Sequence, residues 1–212
     1  MKLIIRLLPF LFLVGCNDTT AQDKIKAPWD KWYFTFSTPK ALPATVTLVK
    51  LLDTDGYGYV FKTIDQPQGK SVGSWGEYIG KGIATFNKAD APPQMIKFCW
   101  DSIIDKKTYE TTLFFAASTK EKMISKEPVW DNPSEPYYFR YMVIGLAPEG
   151  KVRVWLQNNG QPNIEQTSTK ITTISGEKLD MCKGVTKHPT GYVYYGETPD
   201  FIKGKKYPYG SW

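Results

Sequence analysis

The stretch Met95-Ile96-Lys97-Phe98-Cys99-Trp100-Asp101 decides the fold class. It alternates with a period of two. Ile96, Phe98 and Trp100 fall on one face of an extended chain, Lys97 and Cys99 on the other. Aromatic and β-branched side chains pack well on a pleated, half-buried surface, so the run predicts a strand. Residues 108–116 follow the Asp105-Lys106-Lys107 turn and are its expected antiparallel partner. Towards the N-terminus, residues 31–37 form an aromatic, Thr-bearing strand, and residues 45–52 and 57–64 pair across Asp53-Thr54-Asp55-Gly56. Residues 65–93 read as loop. Towards the C-terminus, residues 138–146 and 151–157 flank the tight Pro148-Glu149-Gly150 turn. Residues 164–174 are a further strand, with a short one near 192–195. Residues 118–126 carry a helix in which Ser118 and Glu121 have capping-box spacing, residues 126–136 a proline-rich loop, and residues 177–182 one helical turn. The sum is a mainly β (α+β) single domain over residues 29–212. It is expected to be a sandwich-like antiparallel β-sheet with one or two short helices.

Residues 1–15 have the organisation of an export signal. Lys2 and Arg6 give a basic start, and residues 7–14 are apolar but for Pro9. The run is shorter than the roughly 20 apolar residues needed to span a bilayer. It closes on Leu13-Val14-Gly15-Cys16, which resembles the Leu-x-Gly-Cys lipobox of bacterial lipoproteins. The resemblance implies cleavage before Cys16 and lipidation of its thiol. Each buried methylene is worth about 0.8 kcal/mol, so two or three acyl chains anchor firmly. Residues 16–28 are then a lipidated tether, and a membrane is the first expected partner. By the sorting rule of enteric-type bacteria, Asn17 after Cys16 resembles an outer-membrane lipoprotein. The expected location is the cell envelope of a Gram-negative-type bacterium, lipid-anchored at the outer membrane.

The chain carries 27 Lys and Arg against 21 Asp and Glu, a net charge of +6. Without Lys2 and Arg6 the surplus is about +4. That suits a solvated basic face or an acidic partner. It argues against nucleic acid, since no basic-aromatic recognition motif accompanies it. With Cys16 consumed by lipid, Cys99 and Cys182 remain as a pair. In an oxidising compartment a bridge between them is favoured over two separate buried thiols. It would close a loop of about 82 residues, worth roughly 4 kcal/mol on the loop-entropy argument.

Five constellations in the sequence bear on chemistry. Gly69-Lys70-Ser71-Val72-Gly73 matches Gly-x-Ser-x-Gly, but polar and glycine-rich sequence replaces the strand and helix that a nucleophile elbow requires. His188, the sole histidine, lies in a basic turn beside Pro189. The same glycine loop lacks the leading glycine of a phosphate-binding loop, where Ile64 stands. Asp53, Asp55 and Tyr57 begin like a calcium loop, yet Ile64 occupies the position of the bidentate glutamate. Asp101, Asp105 and Glu110 could serve as paired carboxylates only if they shared a cleft at the right separation. One histidine and two cysteines supply no zinc spacing. No catalytic residue, metal or cofactor is therefore expected.

Aromatic residues are abundant, with 7 Trp, 13 Tyr and 11 Phe. Trp32, Phe98, Trp100 and Trp155 lie in strand patterns and are expected in the core. Tyr195, Tyr207, Tyr209 and Trp212 sit among glycines and lysines and are the expected exposed binding aromatics.

Several patches together resemble the bacterial lipoproteins catalogued as domain of unknown function 2931. They are the strand around Trp32, the Gly73-Ser74-Trp75-Gly76 loop, and Pro93 followed by Cys99-Trp100-Asp101-Ser102, Asp105 and Tyr109. The most specific is the hairpin Gly145-Leu146-Ala147-Pro148-Glu149-Gly150-Lys151-Val152-Arg153-Val154-Trp155. These cover residues 29–174. The family tends to show Leu-Pro where this chain has Pro92-Pro93, and the tail after Ile174 has no matching motif. The resemblance supplies no active site. It implies an envelope lipoprotein acting as a noncatalytic binding module, in its most concrete form an immunity protein against an envelope-acting type VI secretion effector. A binder of envelope polymer, peptidoglycan or lipopolysaccharide, is the alternative expectation, and an unrecognised hydrolase a further one.

Overall fold

The computed structural model describes residues 26–62, 65–76, 87–128, 134, 136–158 and 161–212. The export segment, Cys16 and most of the tether fall outside the described residues. In chain order the described elements are β1 (Trp32–Ser37), β2 (Ala44–Asp53), β3 (Gly58–Phe61), β4 (Lys88–Ala89), β5 (Pro93–Ser102), β6 (Lys107–Phe114), α1 (Ala117–Ile124), β7 (Glu127–Pro128), β8 (Pro136–Tyr137), β9 (Tyr141–Ala147), β10 (Lys151–Leu156), β11 (Ile164–Glu165), β12 (Lys170–Ser175) and α2 (Thr198–Ile202).

They build two five-stranded sheets, ordered β11-β10-β9-β1-β4 and β12-β6-β5-β2-β3. Period-two alternation sends one set of side chains from each sheet into a shared core. Trp32, Phe34 and Phe36 of β1, with Ile144 and Leu146 of β9, meet Val46, Val49, Ile96, Phe98 and Trp100 of the second sheet. Phe36 and Phe98 touch across the layers with ring centroids 5.1 Å apart. Burial of each such ring contributes roughly 1.5–3 kcal/mol. Met123 of α1 closes the same core and is buried. The fold is mainly β, and Trp32, Phe98 and Trp100 lie in the shared core as expected, whereas Trp155 is buried outside it, against Trp75.

The structure departs from the sequence expectation in several places. Most strand pairs are antiparallel, as expected; β1 and β9 run parallel, with Phe34 opposite Met142 and Phe36 opposite Ile144. The pattern of a strand records which face is apolar, not which distant strand lies beside it. Residues 164–174 are two strands, not one. Thr169 N–H donates to the Gln166 carbonyl at 3.0 Å, and this turn carries the chain from β11, paired with β10, to the edge of the other sheet beside β6. The proline-rich loop holds a short ladder, Glu127 opposite Tyr137. Helix α1 starts one residue earlier than expected. Ala116 occupies its N-cap without a side-chain bond, and Ser118 turns instead to the Ser168 hydroxyl at 3.2 Å. The helical turn expected over residues 177–182 is a 3-10 turn at Gly176–Lys178. No strand forms near Tyr192–Tyr195; that segment runs irregularly into α2.

Candidate binding surface

The second sheet has an outward face as well as a core face. On β5 it presents Lys97, Cys99 and Asp101. On β6, Glu110 lies opposite Cys99 and Thr108 opposite Asp101. Yet Cys99, Asp101 and Glu110 are buried, because the tail after β12 is laid across them. Three carboxylates fasten it.

Glu110 Oε2 accepts the backbone N–H groups of Asp180 and Cys182 at 3.0 and 2.9 Å. Its Oε1 pairs with Lys97 Nζ at 2.7 Å. Burial alone would push this carboxyl up. The Lys97 bond and the two N–H groups outweigh it and hold the group below the usual glutamate range. Beside it Cys99 and Cys182 are joined by a disulfide, with Cα atoms 5.4 Å apart. Asp101 saturates both oxygens. Oδ1 accepts Thr108 Oγ1 at 2.7 Å and the Tyr192 hydroxyl at 3.0 Å. Oδ2 accepts Thr186 Oγ1 at 3.0 Å and Lys187 N–H at 2.9 Å. Asp105 gathers two turns and the end of the tail. It accepts the Tyr109 hydroxyl at 3.0 Å, Glu149 N–H at 2.9 Å and the Tyr207 hydroxyl at 2.5 Å. Burial pushes the hydroxyls of Tyr109 and Tyr207 up, with the Asp105 charge adding to the effect.

These three acids do not form a catalytic pair of carboxylates in one open cleft. The structure instead spends each on the tail or on a neighbouring turn. No hydrogen bond joins Ser71 to His188, whose Nε2 has no partner among the described residues. The Ser71 carbonyl accepts Lys40 N–H at 2.8 Å, while the His188 ring packs on Tyr192, centroids 5.0 Å apart. The turn at Asp53 is closed by its own carboxylate, whose Oδ1 accepts Asp55 and Tyr57 N–H at 2.9 Å each.

The fastened tail presents the aromatics singled out from sequence. Tyr207 is 49% exposed, Tyr195 36%, and Val193, which was not anticipated, 75%. Tyr209 and Trp212 are only half-exposed. Tyr207 and Tyr209 meet edge to face, centroids 5.7 Å apart. Lys106 lies 4.8 Å over the Tyr194 ring, and Lys203, Lys205 and Lys206 are exposed just before Tyr207. Aromatic rings edged by cations form a surface suited to docking.

A second cluster explains two of the sequence patches. Trp75 and Trp155 meet edge to face, centroids 5.4 Å apart, on the outward face of the first sheet. Gly145 is the floor beneath them: a Cβ there would lie 2.6 Å from the Trp155 ring and 2.8 Å from Trp75. Arg153 sits over both indoles and is gripped by Glu165 through two bonds.

The family model of a protein of unknown function, DUF2931, matches residues 18–210. The chain belongs to that family. No curated protein matches it, and no solved structure does. The DUF2931 span includes the tail for which no motif was found, in keeping with a tail that closes the second sheet. In this DUF2931 chain the glycine-tryptophan loop and the Gly145–Trp155 hairpin pack on one another. The disulfide fits an oxidising, extracytoplasmic compartment. No helix among the described residues is long and apolar enough to cross a membrane.

Proposed function

We propose that this DUF2931 chain is a noncatalytic binding lipoprotein of the bacterial envelope, anchored through Cys16 at the outer membrane. It docks a protein partner on the tail-built aromatic-lysine surface. The observation that carries the reading is the use of the central acids. Asp101, Asp105 and Glu110 are committed to holding the tail, and what the tail then offers is Val193, Tyr207 and a run of lysines. The concrete form is an immunity protein that neutralises an envelope-acting toxin, such as a type VI secretion effector. The positive surface favours an acidic face on that partner and a fast, salt-sensitive encounter.

The test is genetic and then biochemical. Deleting the gene should make the cell sensitive to a toxin encoded beside it, and charge reversal of Lys203, Lys205 and Lys206 together should weaken capture of that toxin. Unchanged lethality in the deletion strain would sink the reading. The anchor has its own test: Cys16→Ala should abolish palmitate labelling and release the protein from membranes.

A further inference from the structure

Between the β1–β2 connection and the residues leading into α2 lies a cleft of about 220 Å³. Thr38, Lys40, Gln68, Tyr195, Glu197 and Thr198 are among the residues that line it. Sites for drug-sized molecules run from roughly 300 to 1,000 Å³, so this cleft suits a ligand of about one six-membered ring.

Its walls are braced. Thr198 Oγ1 donates to the Ala41 carbonyl at 2.9 Å, Thr38 Oγ1 donates to the Pro67 carbonyl at 2.8 Å, and Lys40 Nζ meets Glu197 Oε1 at 3.0 Å. Ala41, also in the lining, has φ of 70°. A non-glycine residue in that region carries backbone strain of the kind that collects at ligand clamps.

The lining chemistry narrows the ligand. Lys40 and Glu197 cancel, so the cleft has no net charge to draw in an ion. Among the described residues, the Tyr195 hydroxyl and the Gln68 amide have no hydrogen-bond partner. Burial pushes the Tyr195 hydroxyl up, so it stays protonated and able to donate. A lining that offers a tyrosine, an amide, an ammonium and a carboxylate suits a pyranose. The C–H face of the sugar packs on the ring, and its hydroxyls both donate and accept.

We propose that this cleft binds one uncharged sugar residue, with Tyr195 packing against its ring and Gln68, Lys40 and Glu197 pairing with its hydroxyls. Glycans built from such units, whether N-acetylated wall sugars or the neutral hexoses of a lipid-linked polysaccharide, share this chemistry. The proposal does not depend on the protein-docking reading, and the two fail separately.

The test is saturation-transfer NMR and calorimetry on the full chain with N-acetylglucosamine, glucose and galactose. Sialic acid and glycine serve as charged comparators. At least one neutral sugar should bind in the millimolar range, and the preferred sugar separates the two sources. Gln68→Ala and Tyr195→Ala should each weaken it by about tenfold or more. Gln68 is exposed, so its variant should keep the wild-type melting temperature. Charge reversal of Lys203, Lys205 and Lys206 should leave sugar binding unchanged. No transfer from any neutral sugar, tighter binding of a charged comparator, or full binding by Gln68→Ala would overturn the proposal.

Discussion

Glu110 holds two backbone N–H groups of the tail and the ammonium of Lys97 on β5. Hydrogen bonds to a charged group contribute about 1.5–3 kcal/mol, so Glu110→Gln should cost roughly 2–3 kcal/mol in urea unfolding at neutral pH. The pH dependence has a definite sign. The folded carboxyl titrates below its ordinary value of 4.5, so its contribution is complete above that pH and fades as pH falls through the folded value. The gap between wild type and Glu110→Gln should therefore narrow in acid; a gap independent of pH would contradict the assignment. Gly145 makes a different kind of test. A methyl group there has no room beside Trp155 and Trp75. Gly145→Ala should lose roughly 1–3 kcal/mol to overpacking, with a change in tryptophan fluorescence. At this scale the sequence was informative about the core and silent about the clamps. Ile96, Phe98 and Trp100 declared their face by alternation. Asp101 shares its face with Lys97, and alternation says only that it points away from the core. Its tail partners Thr186 and Tyr192 lie 85 and 91 positions away, and nothing local announces them.

Strands were legible where their faces differ and misread where they do not. β2, β5, β6, β9 and β10 stand close to where alternation placed them, because each has one face in a core. Every residue between Ile164 and Ile171 is polar, which leaves the break between β11 and β12 without a hydrophobic signature. Helix α1 shows the converse. The Ser118–Glu121 spacing suggested a capping box, but Met123 seats the helix in the core and its first turn begins at Ala117. Ser118→Ala should then change stability by less than about 0.5 kcal/mol, the range of a neutral surface substitution, rather than the roughly 1 kcal/mol of a lost cap. Thermal melts of the two proteins distinguish these outcomes.

At the scale of the whole molecule the tail is part of the sandwich rather than an appendage. It covers an outward sheet face whose Asp101 and Glu110 would otherwise be desolvated without partners or left open to water. A chain ending at Ser175 should fail to give a cooperative unfolding transition. Replacing Cys182 with alanine should keep the fold but lose roughly 2–4 kcal/mol, with hydrogen exchange quickening first around residues 180–192. Sequence by itself determined the β class, the aromatic core positions, the export-like start and the candidate cysteine pair. These follow from local alternation, composition and counting. The tertiary structure decided the parallel β1–β9 pairing, the disulfide, the commitment of Asp101, Asp105 and Glu110 to the tail, and the cleft beside Tyr195. Each joins groups far apart in the chain through directional bonds or packing, and no periodicity records such partners.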